Sequence, residues 1–193
     1  HITRNGGKTW KNVTDNIDMP PWGTISNIET SKFKKGKAYI SVDLHQMADF
    51  DPYIFVTENY GKSWKKITNG IPKSYSSFVH VIKEDYFDSS VLFAGTDNGL
   101  YYSVNDGNNW NSLKNNLPPA PVYWISLQKR FDDMVVGTYG RGIYIMDDIS
   151  PIRELAKKDL SIDQLLPTQS AYRFQMLQAC LLYTSPSPRD RYI

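Results

Sequence analysis

The sequence holds one cysteine, Cys180, in 193 residues. Without thiols before it, the chain has no disulfide framework and no thiolate metal site. Long apolar runs are also missing. None approaches the roughly 20 residues a membrane-spanning helix requires, so no span is expected in this stretch. Neither charge sign is in excess: Lys and Arg number 22 against 20 Asp and Glu, a net charge of +2. No segment is rich enough in Lys or Arg to form a nucleic-acid stripe, so no nucleic-acid partner is expected. The basic run "SKFKKGK" at 31–37 lies between two strand-like segments and reads as a solvated turn. No secretory leader is visible, which by itself leaves location open. What the chain does have is aromatic side chains. They make up 13% of it, with five Trp and thirteen Tyr, a composition that suits strands.

The end of the chain breaks character. Residues 180–193, "CLLYTSPSPRDRYI", show no periodicity and carry the lone cysteine. Residues 180–190 resemble the translation of a transposase-type sequencing adapter. The segment is therefore read as non-native and set apart from the fold, as an expression tag would be.

The rest is built on a repeat. "TRNGGKTW" at 3–10, "TENYGKSW" at 57–64 and "SVNDGNNW" at 103–110 place Thr or Ser, Asn, Gly and Trp at the same offsets. A short apolar strand precedes the second and third copies, "YIFVT" and "GLYYS". After each Trp come a strand with a polar end, a Pro-containing turn and two further strands. The unit is four short strands, at the period of a propeller blade. Runs such as "LFAGT" at 92–96 are apolar without alternation, as strands covered on both faces must be. Stacked four-stranded blades cover them in this way. With strands lettered A to D from the axis outward, the expected fold is all-β. It is a β-propeller fragment holding a lone D strand, two complete blades and one three-stranded blade, over 1–149. "SPIRELAKK" at 150–158 reads as a short exit helix with Ser150 as its cap and Pro151 at the first position. It opens a 150–179 segment in which "AYRF" at 171–174 is a candidate closing strand.

The repeated motif falls at the C–D turn. It resembles the Asp-box of bacterial neuraminidase-type (BNR) repeats, S/T-x-D-x-G-x-T-W, with Asn in the Asp position. Thr3, Asn5, Gly7, Thr9 and Trp10 match, as do Thr57, Asn59, Gly61, Ser63 and Trp64, and Ser103, Asn105, Gly107 and Trp110. Asn binds backbone N–H groups within a turn. Gly tolerates positive φ, and Trp supplies a large apolar body with one donor. The motif is read as a fold mark. A calcium site at "NDGNN" has too few carboxylates, so neither metal nor cofactor is expected.

Longer phrases carry a family resemblance. "PPWGTISNIE", "DFDPYIFVTENYGKSWKKITNGIP", "LFAGTDNGLYYSVNDGNNW" and "GRGIYIMDDISPIREL" are similar to the sortilin-like BNR-repeat proteins of bacteria, which are often labelled glycosyl hydrolases. The resemblance implies a secreted or periplasmic protein whose remaining propeller blades lie elsewhere in the parent chain. It settles no activity, because fold is not function.

Strand parity points to a working face. The A–B and C–D turns share one face of the propeller, and the B–C and D–A loops share the other. One B–C loop is long, "LHQMADFDP" at 44–52, and loops enlarged on a rigid scaffold are where function tends to reside. The ligand-face candidates are Asp43, His45, Asp49, Trp22, Arg141 and Tyr139, with Asp51, Tyr75 and Asp97 on the same face. Bland readings stand beside them. Asp43 and Asp97 can cap turns, His45 and Asp49 can be solvated, Tyr139 and Arg141 can bridge blades, and Trp22 can plug its loop. His80, in "FVHVI", reads as core or channel lining. Two functions follow. One is a scaffold binding a glycan, peptide or protein. The alternative is a glycoside hydrolase using two carboxylates. A sialidase fits less well, since its arginine cluster is reduced here to Arg141.

Overall fold

The computed structural model describes residues 1–157 and 165–167. Among the described residues, eleven strands form three antiparallel sheets in simple up-and-down order. The first sheet is β1 (Thr24–Thr30), β2 (Ala38–Asp43), β3 (Tyr53–Thr57) and β4 (Lys65–Lys66). The second is β5 (Val79–Glu84), β6 (Leu92–Thr96), β7 (Gly99–Ser103) and β8 (Asn111–Ser112). The third is β9 (Val122–Gln128), β10 (Asp133–Thr138) and β11 (Ile143–Met146). An isolated bridge between Ile2 and Lys11 flanks the first turn motif. The chain is thus a fragment of a β-propeller, with sheets one to three as successive blades.

The blades are stitched by side chains from both faces of their middle strands. On β6, Leu92 and Ala94 pack with Tyr39 and Ile54 of the first blade. Phe93, between them, packs with Val122, Ile125 and Met134 of the third. All five β6 residues are buried for this reason, which explains the apolar run without alternation.

The outermost strands are shorter than their sequence suggests. β4 and β8 hold two paired residues each. The ladder continues for one more bond, Ile67 N–H to Ile54 C=O at 2.9 Å and Leu113 N–H to Leu100 C=O at 2.8 Å. The chain then leaves for the next blade. Asn69 C=O, two residues past Ile67, already accepts the Trp110 N–H of the following blade at 2.8 Å.

The three turn motifs fold alike. The first Thr or Ser hydroxyl accepts the Gly N–H at 2.9 Å in all three copies, from Gly7, Gly61 and Gly107. The Asn Oδ1 accepts the N–H four residues on at 2.9–3.0 Å. Where that residue is Thr9 or Ser63, its hydroxyl also accepts the Asn Nδ2–H. Asn109 makes no such bond and instead accepts from Asn69 Nδ2 of the preceding blade at 3.2 Å. Gly61 and Gly107 sit at φ 72° and 78°. A Cβ there would lie 2.9 Å from Val13 and 2.6 Å from Ile67 respectively. Glycine is needed both for the backbone and for close approach to the preceding repeat. The motif is therefore a fastener between repeats.

Helix α1 (Ser150–Lys157) leaves the third blade. Its first turn is capped from outside: Asp148 Oδ1 accepts the Ser150 N–H at 3.0 Å. This corrects the expectation for Ser150, which is the first helical residue, with Pro151 second. Asp148 lies two residues before the helix at positive φ, 57°, a conformation Asp tolerates better than most. Ile149 and Ile152 bury into the core shared by the second and third blades. The candidate strand at 171–174 and the segment 180–193 lie outside the described residues.

Both ends of the stack are apolar. Ile25, Ile28, Ile143 and Ile145 are exposed. A cavity of about 320 Å³ on the first blade is lined by Ile2, Val13, Ile17, Ile28, Ile40 and Trp64 among others. Repeats that cannot cover such faces rely on neighbours or caps. In isolation the chain is expected to self-associate in sedimentation velocity, with the population shifting to larger species as concentration rises. A monodisperse, cooperatively unfolding monomer would contradict the propeller-fragment assignment.

Candidate binding rim on the loop face

The innermost strand of every blade carries a β-bulge at the same place. The register breaks between Ile25 and Asn27, between Val79 and Val81, and opposite Gly137 and Thr138, which pair with Trp124 and Val122. The extra residues are Ser26, His80 and Tyr123. A bulge re-aims one side chain without breaking the sheet, and here it does so in three successive blades. Ser26 turns to the next blade, its hydroxyl donating to Val79 C=O at 3.0 Å. His80 and Tyr123 stack on each other at 4.0 Å between ring centroids.

From that pair a ladder of rings extends along the loop face. Tyr139 lies 5.6 Å from Tyr123. Phe78 meets His80 edge-on at 5.0 Å and stacks on His45 at 4.9 Å. Phe50 connects Phe78 to Tyr75, which is largely exposed. The ladder crosses all three blades. Both imidazoles are held by carboxylates at equivalent positions. Asp43, at the end of β2, meets His45 Nδ1 at 2.7 Å, and Asp97, just past β6, meets His80 Nε2 at 3.2 Å. Asp43 also accepts the His45 N–H at 2.9 Å, so it caps a turn and orients a ring at once.

The long loop is built by its own residues. Leu44 is buried beneath it, His45–Met47 form a 3-10 turn, and Ala48 takes positive φ. Asp49 accepts the Asp51 N–H at 3.0 Å and the Tyr53 hydroxyl at 2.8 Å. Burial and that bond push the Tyr53 hydroxyl up to about 12. Asp51 pairs with Lys73 of the next connector. Asp49 and Asp51 thus brace the loop. The Tyr123 hydroxyl is also pushed up, first by burial and then by the charges of Asp97 and Asp43 and by Tyr139.

Trp22 and Arg141 stand apart from the ladder. Neither side chain makes a hydrogen bond or ring contact among the described residues. Trp22 is 81% exposed and sits at φ 68°, rare for a bulky residue. The next residue, Gly23, packs so close to Val42 that a Cβ would lie 2.8 Å away. Tyr139 joins the ladder and remains 72% exposed. His45 and Asp49 lie at the start of β3, while Asn59 follows its end, so they stand on opposite faces. Asn105 follows the end of β7 in the same way. Among the described residues no group of His, Cys, Asp and Glu could hold a metal ion.

Phe78, Tyr123 and Phe50 were not among the residues the sequence singled out. The first two sit in or beside inner strands, where an aromatic reads as core. For Tyr123 alone the repeat offers a hint: aligning "ISN", "VHV" and "VYW" places it in one column with Ser26 and His80, though nothing in that column marks a bulge.

Comparison with known proteins agrees with this architecture. A GH74 enzyme from Niastella koreensis superposes with a TM-score of 0.52 at 15% identity, over 64% of this chain and 21% of that one. An ancestral GH74 enzyme gives 0.50 at 17% identity, over 62% of this chain and 14% of that one. At such identities the likeness shows the fold, and the chain spans about a fifth or less of either enzyme. No curated protein matches the sequence. The family model for Sortilin-Vps10, described as sortilin, neurotensin receptor 3, matches residues 1–117. That match covers more than half of the chain, which belongs to the Sortilin-Vps10 family.

Proposed function

We propose that this chain is part of an extracytoplasmic binding propeller whose ligand, a peptide, protein or glycan, lies along the loop face. The observation that carries the reading is the ring ladder from Tyr75 to Tyr139, which crosses three blades and has carboxylates at its sides. Flat apolar surface with a few placed polar groups is the usual make-up of a ligand site. The family supports a secreted or periplasmic location. Among the described residues no helix is long and apolar enough to cross a membrane.

Binding is favoured over glycoside hydrolysis by the state of the acids. Asp43 and Asp97 each hold an imidazole, Asp51 holds Lys73 and Asp49 holds Tyr53. A two-carboxylate hydrolase needs one acid to give a proton and another to act as base or nucleophile.

The test uses the full reading frame that carries these blades, screened against glycan and peptide arrays. The rim ligand should bind without turnover. Trp22→Ala and His45→Ala should each weaken it severalfold while changing stability by no more than about 0.5 kcal/mol, as exposed substitutions do. Release of sugar that disappears in Asp43→Asn or Asp97→Asn would establish the hydrolase instead.

A further inference from the structure

We propose that the niche formed by Tyr123, Tyr139, His80 and Asp97 receives the cationic side chain of a basic peptide, with arginine the best fit. The inference rests on the rim reading and names the ligand class it takes.

The first support is the way this protein uses several of its rings. Tyr39, Tyr53, Tyr60 and Trp124 each lie under a cationic side chain of the protein itself, Lys37, Lys66, Arg4 and Lys83, at 3.9–5.3 Å from the ring centroid. Tyr86, Phe87 and Phe131 are covered likewise. Among the described residues no lysine or arginine lies over Tyr123 or Tyr139. His80 takes one face of Tyr123, and both Tyr123 and Tyr139 remain about half exposed or more.

The second support is charge. The charges acting on the Tyr123 hydroxyl are the carboxylates of Asp97 and Asp43. A cation above these rings gains from the ring quadrupole and from the acids together. A guanidinium gains more than an ammonium, since it stacks on a flat ring while its N–H fork meets a carboxylate. Asp97 retains that capacity: its Oδ1 is the oxygen facing His80, and a carboxylate accepts at both oxygens.

The third support is a preset geometry. His80 and Tyr123 reach this position through the bulge, and their stacking at 4.0 Å sets the floor of the niche before any ligand arrives. A preformed floor reduces the ordering cost of binding.

The experiment is calorimetric, at neutral pH and low salt, on the full reading frame. The probes are acetyl-Gly-Arg-Gly-amide and its citrulline counterpart, which keeps the shape and removes the charge. The arginine peptide should bind about tenfold more tightly, the scale of a desolvated cation–π contact. Asp97→Asn and, separately, Tyr139→Leu should remove most of that preference and leave citrulline binding within about twofold; Tyr139 is exposed, so its replacement keeps the test open if Asp97→Asn unfolds. Equal affinity for the two peptides would overturn the inference. So would a preference for a chitosan oligomer over the arginine peptide, which would assign the niche to an amino sugar. A neutral glycan that binds and is lost in Trp22→Ala and His45→Ala would end the cation inference while preserving the rim. No binding by any of these probes would end both.

Discussion

Replacing Trp110 by Ala is expected to cost about 3–5 kcal/mol of stability, the range for large aromatic truncations in a core. Trp110 is 2% exposed and packs in the seam between the first and second blades with Ile67, Ile71 and Tyr101. Its indole N–H donates to Ile67 C=O at 2.7 Å, and its backbone N–H donates to Asn69 C=O at 2.8 Å. Gly70 passes so close that a Cβ there would lie 2.2 Å from the Trp110 carbonyl. The side chain is thus fixed to the outer strand of the preceding blade by shape and by a buried bond. The cavity left by Ala cannot close without moving that strand. Trp64, at the same motif position, should cost clearly less. It is only partly buried, and among the described residues its indole N–H has no partner. The pair of Phe substitutions isolates the bond. Trp110→Phe should lose ~1–3 kcal/mol more than Trp64→Phe, because it leaves the Ile67 carbonyl unsatisfied while Trp64→Phe loses no such bond. Denaturant midpoints of the four variants decide the matter. Equal losses at Trp64 and Trp110 would show that the motif acts alone, without the neighbouring repeat.

That contrast also shows where sequence reasoning reached its limit. The three motifs read alike, and the turns do form the same bonds at Asn5, Asn59 and Asn105. What separates Trp10, Trp64 and Trp110 is the neighbour each one meets. Trp10 is 62% exposed, whereas Trp110 packs against Ile67 of the repeat before it. Strands such as Tyr53–Thr57 and Gly99–Ser103 were legible to the residue, because β-branched and aromatic runs stop at turn residues there. The loop face followed from strand parity alone. The ladder on that face did not. It joins His45 to Phe78 and His80 to Tyr123, residues far apart in sequence that meet only when blades stack. The bulges are equally silent, since one extra residue in a strand leaves its composition unchanged. Asp49 shows what loop position leaves out. Its loop position suggested ligand contact, and the structure gives its carboxylate to Tyr53 and the Asp51 N–H.

Breaking the clamp on helix α1 is expected to have an effect of similar size. Arg153 is nearly buried and grips the fully buried Asp85 with two parallel bonds, Nε at 2.8 Å and Nη2 at 2.9 Å. Its Nη1 reaches Asp132 at 2.8 Å. One side chain thus ties the exit helix to the A–B turns of the second and third blades. Arg153→Met preserves bulk and removes the charge. It leaves the Asp85 carboxylate buried without its counter-ion, and removing one partner of a buried pair costs about 3–5 kcal/mol. The loss has a pH signature. Burial alone would raise the Asp85 carboxyl, but the bonds from Arg153 and from the N–H groups of Phe87 and Asp88 outweigh it and hold the group below its ordinary value. A carboxyl depressed in the folded state stabilises fully above its unfolded value. That contribution is lost as pH falls through the folded value. The wild-type chain should therefore lose stability as pH drops below about 4. In Arg153→Met that acid-side loss should shrink, because the protonated Asp85 no longer forfeits an ion pair. Stability curves for the two proteins should converge on acidification. If they stay parallel from neutral pH down to acid, the clamp does not hold the helix.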